Sequence, residues 1–187
     1  MSLKRALGLW LALQVDSLPG GLAVFADDLA NREHAYPACT VTEIAHDVRP
    51  LGNCRKDFVT RNPVTHWVET VGRTYVDATA YRLVVSAPSD HARPGQEVVD
   101  SILATIEHAV LVLPLAGEPL VLVDTEALPP ESYPIASMVF TGRQPVPPDI
   151  TGEPFLYRGA LSIKVARMVP VEAPVENVIQ HIHVEEE

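Results

Sequence analysis

The residues that could do chemistry are two histidines near the C-terminus. His181 and His183 are two positions apart in a run, 175–184, that reads as a strand. Alternate strand residues point to one face, so the two imidazoles, with Glu185 next on that face, would be a metal-ligand set. A lone His-x-His near a terminus lacks the further convergent ligands and outer-shell partners that select a metal. The favoured reading is a histidine pair on an edge strand, with no metal and no cofactor.

Other chemistries find less support. The chain has seven histidines and many serines, but no Gly-x-Ser-x-Gly elbow and no cysteine in a recognisable catalytic frame. Leu18-Pro19-Gly20-Gly21 reads as a helix stop, not a phosphate loop, and no dinucleotide fingerprint follows a strand. Asp27-Asp28 and the Glu185–Glu187 tail read as solvated charge rather than an acid–base pair. Tyr75, Tyr81, Tyr133 and Tyr157 lack the excess of basic neighbours that a base-stacking platform has, so they read as core or interface aromatics. The expectation is a chain without enzymatic activity.

Charge points the same way. At a formal net charge of −10, the chain is poorly suited to neutralising phosphates, which argues against a protein that grips nucleic-acid backbones. Positive charge dominates only in the turn-rich stretch 46–63, where Arg49, Arg55, Lys56 and Arg61 lie. That stretch predicts a projecting basic loop or hairpin arm, and those four residues are the candidate partner-binding set. Cys39 and Cys54 have no zinc-finger spacing, and sequence alone does not decide whether they bond. Lys4 and Arg5 precede an apolar run that resembles a signal peptide, but Gln14, Asp16 and Pro19-Gly20-Gly21 interrupt it, and a structural helix is preferred. The run is also too short for a membrane span of about 20 residues.

These candidates must be positioned by a fold of ordinary globular composition, 47% hydrophobic in 187 residues. A chain of that length can bury roughly 70% of its unfolded surface without staples. The 17 prolines predict stiff connections. A first helix is expected from Ser2 to Val15, with Leu3, Leu7, Trp10 and Leu11 on one stripe. Strands are expected at 22–26, 38–45, 65–71, 119–124 and 135–141, and long ones at 74–86 and 155–169. Gly72 reads as a separator between 65–71 and 74–86. Val98, Val99, Ile102, Leu103, Ile106, Ala109, Val110 and Leu113 mark one face of a helix from Gln96 to Leu113. The proline-rich segment 144–154 reads as a surface connection, and 170–174 as a break. The expected fold is α+β: a mostly antiparallel sheet with one long helix packed on it and a short N-terminal helix. It forms a single domain over 1–187 with the arm at 46–63 and a C-terminal strand or arm at 175–187.

This order of elements resembles the tail terminator and related neck proteins of tailed bacteriophages. The likeness rests on the helix Ser2–Val15, the Tyr36-Pro37-Ala38-Cys39-Thr40-Val41 strand start, the strand Tyr75–Ser86 followed by the helix Val98–Leu113, and the late strand from Phe155 to Val165. Such proteins share almost no fixed motif, so the likeness is one of pattern over most of the chain. It implies a tail-terminator-like protomer that self-associates into a ring, commonly a hexamer. Such a ring caps the tail tube and joins it to the head-side connector, and it localises to the virion tail or neck after assembly in the host cytoplasm. The implied partners are tail tube and connector proteins. No specific nucleic-acid or membrane binding is implied, although DNA would pass through the ring, and no catalytic residues carry over. The alternatives are another neck, tail-completion or baseplate component, a cellular protein-binding module, and, more weakly, a metal-dependent enzyme using His181 and His183.

Overall fold

The computed structural model of the chain describes residues 3–18, 22–25, 36–51, 58–89, 94–113 and 119–174. In chain order the elements are helix α1 (Leu3–Val15) and strands β1 (Ala23–Phe25), β2 (Ala38–Pro50), β3 (Phe58–Arg61) and β4 (Val68–Pro88). Helix α2 (Gly95–Val112) follows, then β5 (Leu120–Asp124), β6 (Glu131–Ile135), β7 (Ser137–Asp149) and β8 (Leu156–Pro174). Five strands of one sheet run in the order β1-β2-β4-β8-β7, with β3 also paired to β4, and β5 and β6 make a separate two-stranded sheet. β1 is parallel to β2, while β3–β4, β5–β6 and β7–β8 are antiparallel.

The expected architecture of one long helix laid across a sheet does not form. The fold is mostly antiparallel β-sheet with two short helices, α1 of 13 residues and α2 of 18. The two helices pack against each other, α1 also against β1 and β5, and α2 against β7. The difference arises because strand extends through segments that read as loop. β2 runs on to Pro50, and β4 continues through Gly72, which pairs with Phe58, so the two strands expected there are a single one of 21 residues. β6 occupies part of the expected 124–132 loop. β8 continues past Pro170 to Pro174.

The proline-rich segment supplies the clearest reason. Pro145, Pro147 and Pro148 lie in β7, which among the described residues pairs only with β8 and ends the sheet's strand order. An edge strand needs backbone donors on one side only, so it accepts residues that a central strand would exclude. Its pairing with β8 shifts register at Phe140/Gly142 and again at Val146/Asp149, the second shift falling where Pro147 and Pro148 interrupt the donors.

By its contacts the chain divides into two compact units, one of residues 1–46 and 78–167 and the other of residues 47–77 and 168–187. The hydrophobic core lies in the first. α1 contributes Ala6, Leu7, Leu11 and Val15; of the predicted stripe Leu7 and Leu11 are buried, while Leu3 and Trp10 are only partly buried. α2 contributes Val99, Ile102, Leu103, Ile106 and Val110, the predicted face with Val98 and Leu113 at its margin. Against them pack Tyr81, Leu83 and Val85 of β4 and Leu161, Ile163 and Val165 of β8, alternate residues as a one-sided sheet requires.

Two details fix how closely these layers approach. Gly159 on β8 lies under α2, where an added Cβ would stand 2.7 Å from Leu103 Cδ1 and 2.9 Å from Val99 Cγ1. Arg5 on α1 holds Asp124 at the end of β5 through Nε at 2.8 Å and Nη2 at 2.7 Å, and the Asp124 side chain is fully buried. Asp124 also accepts the backbone N–H groups of Glu126 and Ala127. The Arg5 hydrogen bond, with these backbone bonds, draws the Asp124 carboxyl below its ordinary pKa despite the opposing effect of burial. This acid is the clamp of the 124–127 turn.

Candidate partner-binding hairpin tip

The second unit carries the most conspicuous exposed feature among the described residues. β3 pairs with the start of β4 in antiparallel register, Phe58 opposite Gly72, Val59 opposite Val71 and Thr60 opposite Thr70, with a shift at Arg61. The connection Asn62–Trp67 closes this hairpin through its own hydrogen bonds. The Asn62 N–H donates to the Trp67 carbonyl and the His66 N–H to the Asn62 carbonyl, each at 2.9 Å. The Asn62 Oδ1 accepts from Val64 N–H at 2.8 Å and Thr65 N–H at 2.9 Å. Arg61 Nη1 donates to the His66 carbonyl at 3.1 Å.

Asn at position 62 explains this geometry, because its short side chain can replace a backbone acceptor for the next turn of chain. Pro63 has no N–H that would need a partner. His66 takes φ 58°, a left-handed conformation that His adopts more readily than branched residues do. The consequence is an ordered tip that displays Val64, 84% exposed, and Trp67, 78% exposed. Leaving an indole in water forgoes its large burial energy, and tryptophan and arginine are the residue types most enriched where partners bind.

The predicted partner-binding residues do not gather in one place. Arg61 belongs to the tip, where its guanidinium braces the turn. Arg49 lies on β2, not on a loop, and is exposed with Nε 4.0 Å from Asp47 Oδ2 in the same strand. Arg55 and Lys56 lie outside the described residues, as do Cys54, the expected 175–184 strand and the metal candidates His181, His183 and Glu185. Cys39 is a free, buried thiol, and burial pushes its pKa up to about 12. Sequence reasoning missed Trp67 by assigning Thr65–Val71 to a strand, and passed over Val64 between that strand and the 46–63 arm. The signal was there in Asn62-Pro63, a turn opener followed by Val64 at once and by Trp67 four residues after Pro63.

In the first unit, a groove of about 350 Å³ runs beside α2, lined in part by Asp100, Arg143 and Arg158. Arg143 Nη2 is 2.7 Å from Asp100 Oδ1, and Arg158 pairs with Asp149. Each cation already has its carboxylate, so the groove offers no excess charge to an ionic ligand. Among the described residues no three His, Cys, Asp or Glu side chains converge on a point that could hold a metal. No helix among them is long and apolar enough to cross a membrane. No family model matches the chain, and no curated protein matches it in sequence.

Proposed function

We propose that this chain is a non-enzymatic structural protein of a tailed-phage virion, which assembles as a ring of six at the end of the tail tube and joins it to the head-side connector. The observation that carries the reading is the hairpin tip: a turn ordered by its own hydrogen bonds holds Val64 and Trp67 in water. A surface of this kind is stable in use when a neighbour covers it.

The order of elements supports the virion assignment. A short first helix, a strand starting at Ala38, the passage from a long strand into α2 and a long late strand recur in the positions on which the resemblance rests. The net charge of −10 suits a ring whose lumen DNA must traverse without adhering. The test is co-assembly with tail tubes from the phage that encodes the chain. Capped tubes of uniform length, and loss of capping with Trp67→Ala at unchanged stability, are the expected result. A chain that stays in solution and leaves tube length unchanged would refute the proposal.

A further inference from the structure

In the first unit the main sheet has one face in the core and one turned away from it. Tyr81, Leu83 and Val85 of β4 and Leu161, Ile163 and Val165 of β8 point into the core. Alternation therefore sends Arg82 of β4 and Ser162 and Lys164 of β8 to the opposite face. β4 and β8 are neighbours in the sheet. From β7, Val139 stands opposite Lys164 and is 53% exposed, and Lys164 itself is exposed. Ala80, Ala160 and Ala166 share this face by the same alternation. Their methyl groups rise less from the sheet than the two long cations, so the positive charge stands on a shallow floor of small side chains.

The charge on this face is not balanced. Every other described Lys or Arg of the first unit is engaged: Arg5 with Asp124, Arg143 with Asp100, Arg158 with Asp149, Arg167 over the Tyr133 ring, and Lys4 as well. Among the described residues, Arg82 and Lys164 have no such partner. Asp149 is the only acid in 78–88, 137–149 and 156–167, and Arg158 already holds it. The three strands therefore supply no carboxylate to either cation. Arg82 is only partly exposed, and its Nε is enclosed without an acceptor. Part of a guanidinium has left water with no anion in exchange, a cost that a carboxylate on its exposed part would offset. The chain has 24 acidic and 14 basic residues, so two unpaired cations on one face are a feature that selects an anion.

We infer that this face binds a short acidic segment of a partner protein, with Arg82 as the carboxylate clamp and Lys164 as a second, exposed contact. A planar guanidinium matches a carboxylate through two parallel hydrogen bonds, and Val139 beside Lys164 gives the aliphatic part of such a segment a surface to cover. Nucleic acid fits less well, because two cations neutralise few phosphates while the net charge of −10 repels a long polyanion. The site lies wholly in the first unit. It makes no use of the hairpin tip and does not depend on the ring reading.

Isothermal titration calorimetry of the full chain with the blocked peptide Glu-Glu-Val-Glu-Glu tests the inference, with Gln-Gln-Val-Gln-Gln and a short single-stranded DNA as the comparison probes. The wild type is expected to bind the acidic peptide, with affinity falling as salt rises. Arg82→Gln should weaken binding by about tenfold or more, since it removes a partly desolvated charge. Lys164→Gln, at an exposed contact, should weaken it by about two- to fivefold. Arg49→Gln removes the same charge elsewhere and should leave the affinity unchanged. Circular dichroism verifies each fold, and the exposed Lys164 keeps the test decisive even where an Arg82 variant does not fold. No binding at millimolar acidic peptide overturns the inference. So does equal binding of the glutamine peptide, an affinity unmoved by Lys164→Gln or lowered as much by Arg49→Gln, or tighter binding of the DNA strand.

Discussion

Three glycines in the first unit should respond to alanine in three different ways. At Gly159 the new methyl would stand 2.7 Å from Leu103 Cδ1 and 2.9 Å from Val99 Cγ1, well inside van der Waals separation. Both obstacles are side-chain ends on α2, so they can yield at the cost of helix position or rotamer, and overpacking of this kind costs about 1–3 kcal/mol. At Gly95 the methyl meets Tyr157 Cδ2 at 2.5 Å and the backbone C and O of Pro88 at 2.9 Å. Backbone yields less, so the loss should reach about 3 kcal/mol or more, exceeding the gain of at most about 1 kcal/mol from better helix propensity. At Gly142 nothing lies within 4 Å, and the smaller unfolded-state entropy of alanine should stabilise by about 0.4–1 kcal/mol. Urea unfolding gives the order directly, and a chain of this size changes melting temperature by about 2–4 °C per kcal/mol. Leu103→Ala alone should cost about 2–5 kcal/mol. Combined with Gly159→Ala it should cost less than the sum, because the added methyl occupies space that the leucine leaves. Equal stability of Gly159→Ala and wild type, or strict additivity with Leu103→Ala, would refute the close approach of α2 to β8.

Other perturbations test other parts of the structure. The folded-state pKa of Asp124 is depressed below its ordinary value of 3.8, chiefly by the Arg5 hydrogen bond. Its contribution is therefore complete above that value and disappears as pH falls through the folded-state value. Asp124→Asn should be less stable than wild type at about pH 7, with the gap narrowing toward about pH 3; a gap independent of pH would contradict the clamp. With a pKa raised to about 12 by burial, Cys39 should resist a thiol reagent in native Cys54→Ser protein and react at once in urea, whereas rapid native labelling would place it at the surface. Trp67→Ala should change stability by no more than about 0.5 kcal/mol, as exposed substitutions do, and should remove a water-exposed, readily quenched component of the fluorescence.

Much of the first unit was legible because its signals are local and periodic. The α2 stripe from Val99 to Val110 and the alternation of Leu161, Ile163 and Val165 follow directly from helical and strand repeats. Extent was harder to read. Proline weighs against strand when a segment is assumed to be central, but β7 is an edge, and edge position is a property of the whole sheet that no window of sequence reports. Gly72 likewise reads as a break unless its partner, Phe58, is known. At the hairpin tip the charge of Arg61 was visible, but the exposure of Trp67 was not, because hydrophobicity predicts burial on average and says nothing of a residue set outward by an Asn-Pro turn.

The ring on a phage tail that we propose can be sought in the particle itself. Electron cryo-microscopy of intact virions, with the chain located by density or by a bound antibody fragment, tests it most directly. The expected result is a single ring of six copies at the head-proximal end of the tail tube, with the Val64–Trp67 tip of each copy covered by a neighbouring protein. Virions that lack the chain, or that carry it as isolated copies with Trp67 exposed to solvent, would contradict it.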